Sequence, residues 1–174
     1  MKKVLIVVDM QNDFVTGALG SAEAQAIVPN VADKIRNMGD KDIIILTRDT
    51  HYANYMDSLE GKYLPIEHCI IGTEGWQIIP ELGELKANGV INKDTFGFYE
   101  WPDVFENEGI ENIEFELCGL CTDICVVSNA LALRMFYPNA KITVDASCCA
   151  GVTLEKHKAA LEVMKSCQIE VINE

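Results

Sequence analysis

Three reactive side chains follow apolar runs of the chain, at points where a strand would end. Asp9 closes the run 4–8, Lys93 follows a second short run, and Cys125 lies after a third run, at the start of a predicted helix. A carboxylate, an ammonium group and a thiol suit proton transfer, charge stabilisation and nucleophilic attack. The sequence therefore predicts nucleophilic chemistry at sulfur, provided that the fold brings the three groups together.

The surroundings of Cys125 favour a nucleophile. Thr122 or Asp123 is placed to cap the helix, which leaves Cys125 in its first turn. Unpaired N–H groups and the positive end of the helix dipole stabilise a thiolate there. The alternative is a small buried side chain under the helix start, because most free cysteines are simply buried.

Asp9 and Lys93 are predicted to form a pair. A carboxylate at the end of five apolar residues needs a partner or a catalytic task, because burial of an unpaired charge is costly. Lys93 would supply the opposite charge and would stabilise negative charge on sulfur or on a bound oxygen. Taken singly, Asp9 has an alternative role as the cap of a turn, and Lys93 as a solvated loop lysine.

Short apolar runs rich in β-branched residues alternate with segments long enough for helices. The runs are 4–8, 43–46, 90–91, 113–118, 142–144 and 169–172. Helices are predicted over 22–38, over 123–136 and, with Thr153 as N-cap, over 154–167. The alternation predicts an α/β protein, a three-layer α/β/α sandwich around a mainly parallel six-stranded sheet, with one domain over 1–174.

Ligands of an open parallel sheet gather beyond the carboxyl ends of its strands, where loops vary and helix N-termini point. Asp9, the pair Arg48-Asp49 and the segment 119–125 all fall at such ends. The predicted fold therefore brings the reactive groups to one edge of the sheet.

Composition excludes several classes of partner. The 174 residues include 27 acidic and 14 basic side chains, so the net charge is −13. Nucleic acid and anionic membranes would repel such a protein. No apolar run reaches the roughly 20 residues of a bilayer span, and the first run meets Asp9 too soon for a signal peptide. We expect a cytoplasmic protein that binds neither nucleic acid nor membrane.

The seven cysteines are expected to be reduced, because their number is odd and no secretory leader precedes them. Cys118 and Cys121 have the C-x-x-C spacing of a redox pair. That chemistry requires both sulfurs at a helix start, whereas Cys118 ends an apolar run. A redox protein is therefore a minor alternative.

Three blocks in chain order resemble the signature blocks of the isochorismatase-like cysteine hydrolases, and especially of nicotinamidases. They are Val-Asp-Met-Gln-Asn-Asp-Phe at 8–14, the segment around Lys93, and Gly-Leu-Cys-Thr-Asp-Ile-Cys at 119–125. The resemblance implies Asp9 as general base, Lys93 as its electrostatic partner and Cys125 as nucleophile. It also implies an oxyanion hole from the backbone amides of Cys121 and Cys125, with a cis peptide between Leu120 and Cys121.

The resemblance further implies one divalent metal ion, zinc, iron or manganese. Its ligands would be Asp49 and His51 of a D-x-H pair, His68 of a His-Cys dipeptide, and Glu60 as the fourth. Imidazoles and carboxylates are suitable ligands for these metals. The alternative is a pair of solvated loop histidines. His157, in a predicted helix rich in charge, is expected to be exposed.

The chain departs from the resemblance in the substrate pocket. Nicotinamidases usually have a Trp just ahead of Pro-Pro-His-Cys, whereas this chain has Leu-Pro-Ile-Glu-His-Cys at 64–69, one residue longer. Leu64 and Phe14 are the expected pocket walls. The aromatic residues after Lys93 are candidate replacements for the missing ring, or else core or interface residues: Phe96, Phe98, Tyr99 and Trp101.

The predicted activity is hydrolysis of nicotinamide or a similar small carboxamide, which is the expected partner, through a thioester. Relatives of this kind commonly form dimers or tetramers, so a homo-oligomer is expected. The nearest alternatives are an isochorismatase-like hydrolase of a vinyl ether and a hydrolase of another small amide or carbamoyl compound. A non-catalytic binding protein on the same fold is less consistent with the three retained residues.

Overall fold

The structure is a computed structural model that describes residues 2–106 and 113–174. Its strands are β1 (Lys2–Val8), β2 (Ile43–Asp49), β3 (Gly89–Lys93), β4 (Ile113–Leu120), β5 (Lys141–Ala150) and β6 (Glu170–Ile172). Within the described ranges they form one sheet in the order β3-β2-β1-β4-β5-β6. Every neighbouring pair is parallel. The predicted strands are therefore all confirmed, although several extend further than the apolar runs.

Seven α-helices connect these strands in the described ranges. They are α1 (Asn12–Val15), α2 (Ala22–Arg36), α3 (Leu59–Tyr63), α4 (Pro80–Gly83), α5 (Trp101–Val104), α6 (Val127–Phe136) and α7 (Leu154–Ser166). Ser21 Oγ accepts a hydrogen bond from the Ala24 N–H at the start of α2, and Thr153 Oγ1 accepts one from the Lys156 N–H at the start of α7. The predicted N-cap of α7 is confirmed.

The helix predicted over 123–136 begins differently. Residues Thr122–Val126 form a wide π turn, and only then does α6 begin. The Val126 N–H donates to the Cys121 carbonyl at 3.0 Å. Side chains from the next turn add hydrogen bonds to its carbonyls: Ser128 Oγ donates to Ile124 O at 2.6 Å, and Asn129 Nδ2 donates to Cys125 O at 2.8 Å. This side-chain bonding stabilises the wide turn.

The sheet lies between two helix layers. The connections β1–α2–β2 and β4–α6–β5 run in opposite directions across the sheet, and right-handed crossovers therefore put α2 and α6 on opposite faces. Residues 4–8 of β1 are at most 1% exposed, as expected for a strand that is covered on both faces. The three-layer α/β/α prediction is confirmed.

β1 and β4 are neighbours at the centre of the sheet. From β1 the following strands are added toward one edge of the sheet, and from β4 they are added toward the other edge. Such a switch point leaves a crevice beyond the carboxyl ends of the two strands. Asp9 follows β1 directly, and the π turn follows β4 after Cys121. None of the helices in the described ranges has the length and hydropathy that a membrane crossing requires.

Candidate active site

The ammonium group of Lys93 connects the three reactive side chains predicted from the sequence. Its Nζ lies 2.6 Å from Asp9 Oδ2 and 3.4 Å from Cys125 Sγ, and it donates a hydrogen bond to the Thr95 carbonyl at 3.2 Å. The Lys93 side chain is completely buried. The structure therefore brings Asp9, Lys93 and Cys125 together at the switch point.

The carboxylate of Asp9 is fixed by backbone conformation and by a threonine. Asp9 has φ of 49°, in the left-handed region that non-glycine residues seldom adopt. Thr47 Oγ1 donates to Asp9 Oδ1 at 2.6 Å and accepts from the Asp9 N–H at 3.2 Å. Thr47 was not among the residues predicted from the sequence. The available signal is a polar residue directly after the apolar run of β2, on the same face as Asp49 because side chains alternate.

Burial and the neighbouring charges of Asp9 and Lys93 determine the pKa of the Cys125 thiol. Burial raises its pKa, the Asp9 carboxylate raises it further, and Lys93 offsets only part of the increase. Burial also raises the pKa of Asp9, against the influence of Lys93. The prediction that the helix start lowers the pKa of this thiol is therefore wrong, because burial and the Asp9 carboxylate raise that pKa.

The predicted caps of that helix are also wrong. Cys121 occupies the N-cap position and makes no side-chain cap bond. Thr122 Oγ1 instead lies 2.8 Å from Nδ1 of His157, and Asp123 Oδ1 accepts a hydrogen bond from the Val152 N–H at 2.8 Å. Both side chains thus point to the β5–α7 connection. His157 is half-buried rather than exposed, because its ring packs against the π turn.

The peptide between Leu120 and Cys121 is cis, as predicted. Cys121 is half-buried beside the cavity, and burial raises its pKa to about 12. All seven cysteines lie in the described ranges, and none of them is in a disulfide. Cys118 is completely buried in β4, so it does not form an accessible redox pair with Cys121.

The four predicted metal ligands also converge. Asp49, His51, Glu60 and His68 each offer a ligand atom within 4.8 Å of the others. Nε2 of His51 lies 2.8 Å from Asp49 Oδ2 and 3.7 Å from Glu60 Oε1, and Nε2 of His68 lies 3.6 Å from both carboxylates. These nitrogen and oxygen donors form a possible metal-binding group.

The atoms of this four-residue group are better suited to binding a cation than to hydrogen-bonding one another. Nε2 of His51 is buried, and its 2.8 Å contact with Asp49 Oδ2 lacks the geometry of a hydrogen bond. Nδ1 of His68 lies 2.9 Å from the Ile66 carbonyl, an arrangement that puts the proton on Nδ1 and leaves the Nε2 lone pair for a metal. Burial would raise the pKa of Asp49, but both imidazoles and Lys93 hold it well below its usual range.

Residues of the first signature block support this group. Gln11 Oε1 accepts from the Asp49 N–H at 2.7 Å, and Gln11 Nε2 donates to the Asp49 carbonyl at 2.9 Å. Asp13 Oδ2 accepts from the Cys69 N–H at 2.8 Å, next to His68. Gln11 and Asp13 were not predicted to have a role. The signal available in the sequence was that both residues belong to the block 8–14.

A cavity of about 420 Å³ opens beside these groups. Its lining includes Cys125, Cys121, Asp49, Glu60 and His68 at one end. Apolar walls come from Phe14, Leu19, Ala24, Leu64, Phe96 and Ile124. The predicted wall residues Phe14 and Leu64 therefore lie in the cavity, as does the candidate Phe96.

The other aromatic residues after Lys93 lie elsewhere. Phe98 and Trp101 are buried in the core, with ring centroids 5.1 Å apart, and Trp101 Nε1 donates to Asn129 Oδ1. Tyr99 is 61% exposed. Phe98 and Trp101 therefore do not replace the missing tryptophan.

Comparison with known proteins identifies the family. Residues 3–174 match the isochorismatase domain family model. The chain is 26% identical over 193 residues to nicotinamidase/pyrazinamidase of Mycobacterium tuberculosis, with 98% of each chain covered. It is 28% identical to the pyrazinamidase of Pyrococcus horikoshii solved in complex with zinc, with a TM-score of 0.83 over 100% of both chains.

A third similarity is to N-carbamoylsarcosine amidase from Thermoplasma acidophilum, at 26% identity and a TM-score of 0.78, covering 98% of this chain and 95% of that one. The fold and these similarities agree with the family match, which spans nearly the whole sequence. The chain belongs to the isochorismatase family.

Proposed function

We propose that this amide hydrolase of the isochorismatase family cleaves nicotinamide or a similar small carboxamide to the acid and ammonia through a thioester intermediate. One observation carries the proposal: Lys93 Nζ contacts both Asp9 Oδ2 and Cys125 Sγ. A base, a cation and a sulfur nucleophile thus meet at a cavity of about 420 Å³. An adjacent base can activate the sulfur nucleophile, and the cation can stabilise the negative charge that develops.

The proposed reaction begins with proton transfer from the Cys125 thiol to Asp9. The thiolate attacks the carboxamide carbon, and Asp9 returns the proton to the departing nitrogen, so that ammonia leaves and a thioester remains. Asp9 then takes a proton from water, hydroxide attacks the thioester carbon, and the proton returns to sulfur as the acid leaves. Burial raises the pKa of Asp9, which suits a carboxylate that must accept and return protons near neutral pH.

We assign the oxyanion hole to the backbone amides of Cys121 and Cys125. Both residues line the cavity; Cys121 is the N-cap of the π turn, and Cys125 is the fourth residue of that turn. N–H groups at a helix start lack intrahelical partners and are available to a developing negative charge. Lys93 balances the charge on Asp9 and sulfur throughout.

We further propose that Asp49, His51, Glu60 and His68 hold a divalent metal ion, which is zinc, iron or manganese. Their convergence supports this assignment, as does the complex of the similar Pyrococcus horikoshii pyrazinamidase with zinc. Such an ion would orient a pyridine nitrogen or a water molecule. Lys93 Nζ, 3.7 Å from Asp49 Oδ1, links this group to the catalytic residues electrostatically.

The second candidate substrate is a small carbamoyl compound. The similarity to N-carbamoylsarcosine amidase favours it, and so does the absence of a pocket tryptophan. Phe14, Leu64 and Phe96 supply an apolar pocket without a flat indole face for a pyridine ring. The reaction at sulfur would be the same.

We also propose that the whole chain forms one domain, acts in the cytoplasm and assembles as a homo-oligomer. The family match over residues 3–174 supports a single domain, and the free cysteines suit a reducing compartment. Leu59 is 73% exposed and Tyr63 is 85% exposed on α3, as apolar interface residues would be in an isolated subunit.

The test is ammonia release from a panel that contains nicotinamide, pyrazinamide, benzamide and N-carbamoyl amino acids, with and without added zinc. We expect turnover by the parent and a loss of at least about a thousandfold in Cys125→Ala. Cys167→Ala, which removes a cysteine outside the cavity, is the matched control and should leave turnover intact. Undiminished activity of Cys125→Ala would refute the thioester route, and turnover of carbamoyl compounds alone would select the second substrate class.

A further inference from the structure

The π turn is bound to α7 by a buried hydrogen bond. Thr122 is completely buried, and its Oγ1 lies 2.8 Å from Nδ1 of His157. Among the described residues, His157 is the hydrogen-bond partner of this hydroxyl. A buried hydroxyl that loses its partner keeps its full desolvation cost. The position of Thr122 is therefore tied to the imidazole.

A second contact joins the π turn to the connection between β5 and α7. Asp123 Oδ1 accepts a hydrogen bond from the Val152 N–H at 2.8 Å. Beside it, a Cβ added at Gly151 would lie 2.7 Å from Asp123 Oδ1 and 2.9 Å from His157 Cβ. The glycine is thus required for the close approach of the connection, the π turn and α7.

These contacts replace the cap that the helix lacks. No side chain caps the π turn, so the orientation of its first residues depends on bonds to other elements. Thr122 and Asp123 lie between Cys121 and Cys125, whose amides form the proposed oxyanion hole. A shift of the turn would therefore move both donors.

We propose that His157 is a positioning residue that holds Thr122 and thereby aims the oxyanion-hole amides. The inference rests on the proposed function. His157 does not line the substrate cavity; it lines a separate cavity of about 490 Å³ with Ser147, Lys158 and Glu162. It acts through the turn, without touching the substrate.

The kinetic test compares His157→Ala with His157→Asn. Loss of the imidazole should lower kcat by about ten- to a hundredfold, because donor placement matters in the transition state, while KM changes by less than about twofold. Asn offers an amide near the position of Nδ1 and should restore most of kcat. Lys158→Ala, one residue along α7 and exposed, is the control and should match the parent.

Variants of the partner complete the kinetic test. Thr122→Val, which removes the hydroxyl at nearly constant volume, should reproduce the loss. Combined with His157→Ala, it should add little, since both changes break one bond. Parent-like kcat in folded His157→Ala, or full additivity of the two losses, would overturn the inference.

A second measurement separates this inference from the proposed function. Hydrogen exchange of the amides in 121–126 should accelerate in His157→Ala and Thr122→Val, and stay near the parent rate in His157→Asn. If the parent releases no ammonia from any amide, the proposed function is refuted. The hydrogen-exchange rates would then still test whether His157 positions the π turn. Unchanged exchange in both Thr122→Val and His157→Ala would refute the positioning role whether or not the parent is active.

Discussion

Lys93 is a buried cation in a site that is otherwise acidic. Its Nζ faces Asp9 at 2.6 Å and Asp49 at 3.7 Å. Burial would lower the pKa of Lys93, but Asp9, Cys125 and Asp49 hold it well above its usual range. Buried ion pairs contribute little net stability. Their presence at this point of the fold is therefore best explained by function.

Thr47 contributes to the basicity of Asp9. Its hydroxyl donates to Asp9 Oδ1 and lowers the pKa of a carboxyl that burial raises. Thr47→Val should raise the pKa of Asp9 further and shift the acid limb of the kcat/KM profile to higher pH, by about one unit. Activity at a fixed acid pH should fall accordingly, because less Asp9 is ionised.

The pH–rate profile of purified Thr47→Val measures this shift, with Thr47→Ser as the matched control. Serine keeps the hydroxyl and should keep the parent profile. An acid limb that coincides in the valine variant and the parent would show that Thr47 does not tune the base.

Glu60 is the proposed ligand with the least support from the sequence pattern. Its carboxylate lies 3.6 Å from His68 Nε2 and belongs to the four-residue group. Glu60→Gln should weaken zinc binding at least about tenfold, because it removes a negative ligand. Competition with a chromogenic chelator measures the affinity without reference to activity.

Glu67→Gln removes an equal charge from an exposed position between α3 and His68 and is the matched control. It should leave zinc affinity near that of the parent. Equal affinities of Glu60→Gln and the parent would remove Glu60 from the ligand set.

At the level of elements, the junction of β1 and β4 depends on Gly119. Gly119 has φ of 113°, and a Cβ there would lie 2.2 Å from the Val8 carbonyl oxygen. Gly119→Ala should therefore lower the free energy of unfolding by at least about 2 kcal/mol, through backbone strain and a clash in the centre of the sheet. Urea denaturation measures the change.

Gly83→Ala is the control for Gly119→Ala. A Cβ at Gly83, the last residue of α4, meets no atom within 4 Å. The substitution should be neutral or should stabilise by about 0.5–1 kcal/mol, because alanine loses less conformational entropy on folding. Equal effects at the two positions would refute the steric argument.

The strands and the two long crossover helices α2 and α7 were predictable because their signals are local. Continuous apolar runs predict buried parallel strands, and Thr153 predicts the start of α7. The π turn was not predictable, since Ser128 and Asn129 bond carbonyls within a segment that has an ordinary helical pattern.

The same reasoning applies to the site. Asp9, Lys93 and Cys125 follow apolar runs and resemble a known pattern, so their convergence was predictable. Thr47 and the bond between Thr122 and His157 were not, because each joins residues more than thirty positions apart. The protonation state of Cys125 depends on burial, which only the folded chain defines.

For the molecule as a whole, an ionic cluster holds α2 on the sheet. Lys34 of α2 contacts Glu116 of β4, and its Nζ lies 2.6 Å from Asp145 Oδ2 of β5. Glu116 and Asp145 are buried. A protein with a net charge of −13 is destabilised by repulsion among its acidic side chains. Lys34 offsets the negative charges of Glu116 and Asp145 at the place where α2 meets the sheet.

This cluster makes stability dependent on pH in a defined direction. Burial would raise the pKa of Asp145, but Lys34 and Ser147 hold it below its usual range. The folded-state pKa is thus lower than the unfolded value of about 3.9, so the stabilisation is complete above that value and is lost as pH falls through the folded pKa. The parent should lose unfolding free energy as the pH falls below about 4 and through the folded pKa of Asp145.

Asp145→Asn tests this dependence, because the amide cannot ionise. At pH 7 it should be less stable than the parent by about 1–3 kcal/mol, and the difference should shrink as the pH falls toward 3. Asp33→Asn, which removes an equal charge from a side chain that is 69% exposed, should stay within about 0.5 kcal/mol of the parent. Urea denaturation at each pH gives the three curves. A difference between Asp145→Asn and the parent that stays constant from pH 7 to 3 would mean that Asp145 does not supply the acid sensitivity of the fold.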